Sequence, residues 1–145
     1  MPRIRRRVLL VAGLFCLSVS IGIGSAWAQD ARGSIVQKEA RSWLALTDRG
    51  DADASWRAAG KQFQKAITAE QWGGALRQVR PPLGDLTDRT VLSTEFTKSF
   101  AGAPDGDYAL LVFRSSFVKK SDSRETVTLE READGAWHVI GYFIR

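Results

Sequence analysis

Cysteine and histidine each occur once in this chain of 145 residues, and methionine only at its start. A single cysteine rules out a disulfide framework within the chain, and Cys16 lies inside an uncharged N-terminal run, away from any site-building segment. A single histidine, His138, argues against a zinc site, which draws on clustered His, Cys or carboxylate ligands. No acidic loop has the ligand spacing of a calcium site. A glycine-rich phosphate cradle is missing too: "QWGGAL" has adjacent glycines but neither the lysine nor the preceding strand. No serine sits in a G-x-S-x-G elbow. No cofactor and no metal are therefore expected, and hydrolytic chemistry has little support.

The N-terminus has the three parts of an export signal. Arg3, Arg5, Arg6 and Arg7 make a basic start, an uncharged run follows from Val8 to about Gly24, and "SAWA" sets small residues at Ala26 and Ala28. Ser18, Ser20, Gly22 and Gly24 weaken the run as a spanning helix. The expectation is a cleaved Sec-type signal over residues 1–28, periplasmic or secreted location, and one domain over residues 29–145. No transmembrane span is expected after cleavage. Charge changes with the cut. The whole chain carries +5, but four of its 21 basic residues and none of its 16 acidic ones lie in the signal. The remaining 17 against 16 leave +1, so no global basic field recruits nucleic acid.

The rest divides into a helical half and a strand-rich half. Ser34 and Gln37 have capping-box spacing, and Val36, Ala40, Trp43, Leu44 and Thr47 then recur at helical intervals as far as Gly50. A second helix starts behind Asp51 or Asp53 with Trp56, Ala59, Phe63 and Ile67 as its stripe, and Gly60 is a point where it can split. Thr68 and Gln71 repeat the capping box before Trp72, Leu76 and Val79; Pro81 and Pro82 end that helix.

Beyond the prolines the period falls to two. "RTVLSTEFTKSF" places Leu92, Phe96 and Phe100 on one side. "GAPDGDY" is a turn, "DYALLVFRSSFVKK" a long strand, "KKSDSR" a polar turn. "ETVTLERE" points Val127 and Leu129 inward, and Asp134–Gly135 makes a tight hairpin to the last strand. The predicted fold is α+β: N-terminal helices packed on a curved four-stranded antiparallel sheet, in the manner of a cystatin-like or nuclear-transport-factor-like roll.

These residues resemble a known bacterial family, the domain of unknown function 4019. The likeness runs from about Ala40 to Arg145 and rests on Trp43 with Trp56, "QW" at Gln71–Trp72, "R-x-PLG" at Arg80 to Gly84, and the ending "W-x-V-x-GY-x-IR". It implies an exported bacterial domain and supplies no activity and no catalytic residues.

The apolar residues of the last strand bear on function. Strict alternation sets Trp137, Val139, Gly141 and Phe143 against His138, Ile140, Tyr142 and Ile144, so both faces are apolar. The long strand shares the property. One face meets the helices, and the other forms a patch that a homodimer, an envelope protein partner or the sheet's own curl must cover. The expected binding residues are Phe113, Ile140 and Tyr142, with Arg80 for an anionic group. Arg77, Arg80 and Arg89 alternatively pair with the local acids Asp85 and Asp88. The enzymatic alternative is a small roll-fold pocket doing acid/base chemistry on an apolar substrate, with His138 paired to Asp48, Asp85 or Asp88; His138 and Asp85 are its catalytic candidates. The leading expectation is a non-catalytic binding or interaction domain that uses a sheet face.

Overall fold

The computed structural model describes residues 24–145. The basic start and the uncharged run fall in residues 1–23, outside the described residues. Four helices precede four strands: α1 Gly24–Asp48, α2 Ala52–Ala58, α3 Lys61–Ala66, α4 Ala69–Val79, β1 Leu86–Thr97, β2 Tyr108–Phe117, β3 Lys120–Arg131 and β4 Trp137–Ile144. The strands form one antiparallel sheet in the order β1-β2-β3-β4. This is the α+β arrangement the sequence predicts. Among the described residues no helix is long and apolar enough to cross a membrane.

The helix signals act mostly where they stand. Asp51 caps α2 by accepting from the Ala54 amide at 3.0 Å. Thr68 and Gln71 form the complete capping box of α4. The predicted second helix divides at Ala59–Gly60 into α2 and α3. There the Gly60 amide donates to the Val139 carbonyl at 2.7 Å, and Gln64 Nε2 closes the last turn of α2 by donating to the Trp56 and Ala59 carbonyls. Ser34 is the exception: α1 runs through it from Gly24, so it caps nothing. The polar stretch 120–124 belongs to β3 rather than to a turn, which leaves Val118–Lys119 as the β2–β3 hairpin.

α1 lies across the inner side of the sheet and buries Val36, Ala40, Trp43, Leu44 and Thr47 there. Leu111 and Phe113 of β2, Val127 and Leu129 of β3, and Trp137 and Val139 of β4 meet them. The indoles are satisfied as well as buried. Trp43 Nε1 donates to the Ser55 carbonyl and Trp72 Nε1 to Ser55 Oγ, at 2.8 and 2.9 Å.

Two bulges change which residues face inward. Leu92 is extra on β1 between Val91 and Ser93, and Ile140 is extra on β4 between Val139 and Gly141. Each extra residue reverses the alternation beyond it. Leu92 is therefore exposed while Phe96 packs on the core, although strict period two puts them together. On β4 the exchange is larger. Tyr142 turns inward to within 5.5 Å of the Trp43 ring, and Phe143 turns out to 59% exposure.

Candidate functional site

The bulge at Ile140 puts Tyr142 beside a group of buried charges. Glu125 shares its side of β3 with Val127 and Leu129 and is fully enclosed. Its carboxylate accepts from Arg89 Nε at 2.7 Å, from the Tyr142 hydroxyl at 2.7 Å, from Ser115 Oγ, and more distantly from Arg80 Nη1 at 3.4 Å. Asp48, in the last turn of α1, receives both arginines: Arg89 at 2.7 and 2.9 Å, and Arg80. Two guanidiniums and two carboxylates thus cancel in charge and occupy each other's hydrogen-bonding positions. Burial opposes the charge on Arg89, but Asp48 and Glu125 outweigh it and raise its pKa. Burial, and then the Glu125 carboxylate, push the Tyr142 phenol far above its ordinary value, so it stays a neutral donor. The Arg80 guanidinium also lies 4.7 Å from the Phe117 ring centre.

An open site lies elsewhere, between α1 and the edge strand β4. It is a groove of about 640 Å³ with Ile35, Trp43 and Leu46 on the helix side and Trp137, His138 and Val139 on the strand side. Glu39 and Ser42 add polar atoms along α1, and Ala58, Gly135 and Ala136 complete the lining. His138 is fixed at its rim, with Nε2 2.9 Å from Asp134 Oδ2. Partial burial lowers the His138 pKa, but Asp134, Glu132 and the Ala58 backbone outweigh it, and the net shift is upward. The bond to His138 holds Asp134 below its ordinary value in return.

The predicted site residues separate in space. Phe113 is wholly buried under the helices and forms no outer patch. Tyr142 faces the core because of the bulge, and Ile140 is packed against Gly60. Arg80 is enclosed and engaged by Asp48 and Glu125, not by Asp85 or Asp88, and Arg89 behaves likewise. Asp85 is exposed on the loop before β1. The carboxylate partner of His138 is Asp134, whereas Asp48 is committed to the arginines. Sequence reading missed Glu125, although a signal was present: period two from Val127 and Leu129 puts Glu125 inward as well. Among the described residues no three His, Cys, Asp or Glu side chains cluster as a metal site would need.

The family described as Protein of unknown function (DUF4019) matches residues 39–142. No curated protein matches the chain in sequence. A solved structure from Catenulispora acidiphila is similar in fold at 14% identity, covering 82% of this chain and 94% of its own with a TM-score of 0.51.

Proposed function

Starting from a chain that belongs to DUF4019, a family of unknown function, we propose that it is an exported, non-catalytic binding domain whose ligand lies in the groove between α1 and β4. The observation that carries the reading is the groove's lining. The half-exposed Ile35 and partly exposed Leu46 supply apolar surface beside the largely buried Trp43, Trp137 and Val139, while Glu39, Ser42 and His138 supply a few polar groups. That mixture suits a small, mainly apolar molecule with one polar end. The titratable groups buried elsewhere engage one another, which leaves them no task in chemistry. Export is supported by the basic start, the uncharged run and the A-x-A site.

Binding is tested with an apolar fluorescent probe, read by its own emission and by quenching of the indoles. Ile35 is half exposed, so Ile35→Asp should leave the fold intact and weaken uptake at least about tenfold, the expected effect of a charge in an apolar contact. An unchanged affinity would sink the groove reading. For export, the N-terminus of the protein recovered from the cell envelope should be Gln29; an intact Met1 in the cytoplasm refutes it.

One observation favours a second reading, a pocket enzyme using acid/base chemistry: the His138–Asp134 pair stands on the groove's rim. The raised pKa suits the histidine to giving a proton rather than taking one. A His138→Gln variant that binds the probe as before but loses turnover of a small carbonyl compound would select this reading.

A further inference from the structure

The outer side of the sheet is ordered by the strand register into four rows that run across β1 to β4. The first is Thr90, Arg114, Arg124 and Arg145; the second Ser93, Val112, Thr126 and Phe143. The third is Glu95, Leu110, Thr128 and Gly141, and the fourth Thr97, Tyr108, Glu130 and His138. Arg124 and Arg145 exchange both backbone hydrogen bonds, at 2.8 and 3.0 Å, so three arginines stand side by side on adjacent strands. Like charges placed directly across strands destabilise a sheet. Among the described residues none of the three lies within 4.0 Å of a carboxylate, with Asp88 and Asp122 the acids flanking the row. All three are exposed.

The opposite end is acidic. Glu95 and Glu130 stand there, and the loop before β2 folds over Tyr108, with Phe100 5.8 Å from its ring and Asp105 and Asp107 on the loop. Asp107 is paired with Lys98 and stands near Arg32 and Arg131, and Lys61 and Lys65 of α3 lie beside Glu130, so Glu95, Glu130 and Asp105 carry the acidic character of this end. Between the two ends lie Leu110 and Val112, partly buried, the buried Thr128, and the exposed Phe143.

We propose that this face binds a second copy of the chain, about a two-fold axis running across the strands between the second and third rows. That axis lays the basic end of each copy on the acidic end of the other. Arg124 meets Glu130, Arg114 meets the loop carrying Asp105, Arg145 meets the His138–Asp134 pair, Val112 meets Leu110, and the Phe143 ring meets the space above Gly141. An axis along the strands sets arginine row on arginine row, and the charge pattern excludes it. Sheets packed face to face stand about 10 Å apart, within reach of side chains of this length. The surface meets the groove at His138, but Arg114, Arg124, Glu130 and Phe143 lie outside the groove, so this proposal does not depend on the ligand reading.

The test is sedimentation of the purified protein at low salt from 1 to about 500 μM, the range for an interface of modest size. The wild type should form dimers that dissociate as salt rises. Arg124→Glu and Glu130→Arg should each weaken dimerisation at least about tenfold. An equimolar mixture of the two should restore it, because both contacts in the mixed dimer then join opposite charges. Glu130→Arg also removes the 2.7 Å bond from Gln62, so Phe143→Asp, at an exposed position, serves as the variant that leaves folding untouched. A wild type monomeric throughout, a dimer indifferent to Phe143→Asp and Arg124→Glu, or binding of the arginine row to anionic vesicles by a protein that stays monomeric would each overturn it.

Discussion

At the scale of the residue, Glu125 is the side chain on which most others depend. It binds two arginines, a tyrosine and a serine from four parts of the chain and is itself fully buried. Glu125→Gln keeps the volume but leaves Arg80 and Arg89 sharing one carboxylate. The expected loss is about 3–5 kcal/mol, read as a lower denaturant midpoint at unchanged slope. Tyr142→Phe removes one donor and should cost about 1–2 kcal/mol by the same measurement. His138 governs the response to pH. Its folded-state pKa is raised, so its contribution is complete below the unfolded value of about 6.5 and is lost as pH rises through the folded one. Replacing it by Gln should flatten stability against pH over that window; a curve with the wild-type slope would show that the Asp134 bond contributes nothing.

At the scale of the element, the bulge at Ile140 and the joint at Gly60 act together. Gly60 has an ordinary backbone angle, φ −71°, so its small size matters rather than its freedom. A Cβ there meets Glu132 Oε1 at 2.7 Å, the Ile140 Cγ2 methyl at 3.0 Å and His138 Cβ at 3.1 Å. Gly60→Ala should therefore push α3 from the β4 edge and cost about 1–3 kcal/mol, with broadened indole signals from Trp43 in NMR spectra. Thr68→Ala, which removes half of the α4 capping box, should cost about 1 kcal/mol without that broadening. The capping box was readable because a cap is local: Thr68 and Gln71 are three residues apart and need no other element. The bulge was not readable. Nothing in "HVIGYF" says which residue is extra; the pairing of β4 with Thr128 and Leu129 of β3 decides it.

At the scale of the whole molecule, burial predicts an order of opening. β2 and β3 are the inner strands and hold Leu111, Phe113, Val127 and Leu129 at full burial, whereas β1 has one free edge and half-exposed side chains. Amide hydrogen exchange should be slowest at those four positions and faster along β1. Faster exchange in β3 than in β1 would contradict this packing. The same scale explains the change in the candidate site. Alternation had put Tyr142 on an open apolar patch with Ile140 and Phe113, and the folded chain removes all three from it. Leu110, Val112 and Phe143 remain, between a basic and an acidic end.

The sequence by itself determined the α+β order, the apolar stripes of α1 and α4, the break at Gly60 and the hairpin at Gly135, because each follows from neighbours a few residues apart. Only the tertiary structure decided which face Tyr142 takes, that Arg80 and Arg89 close on Asp48 and Glu125, and that a groove opens between α1 and β4. These depend on register and on partners 17 to 45 residues away, and strand pairing fixes such relations only when the chain is folded.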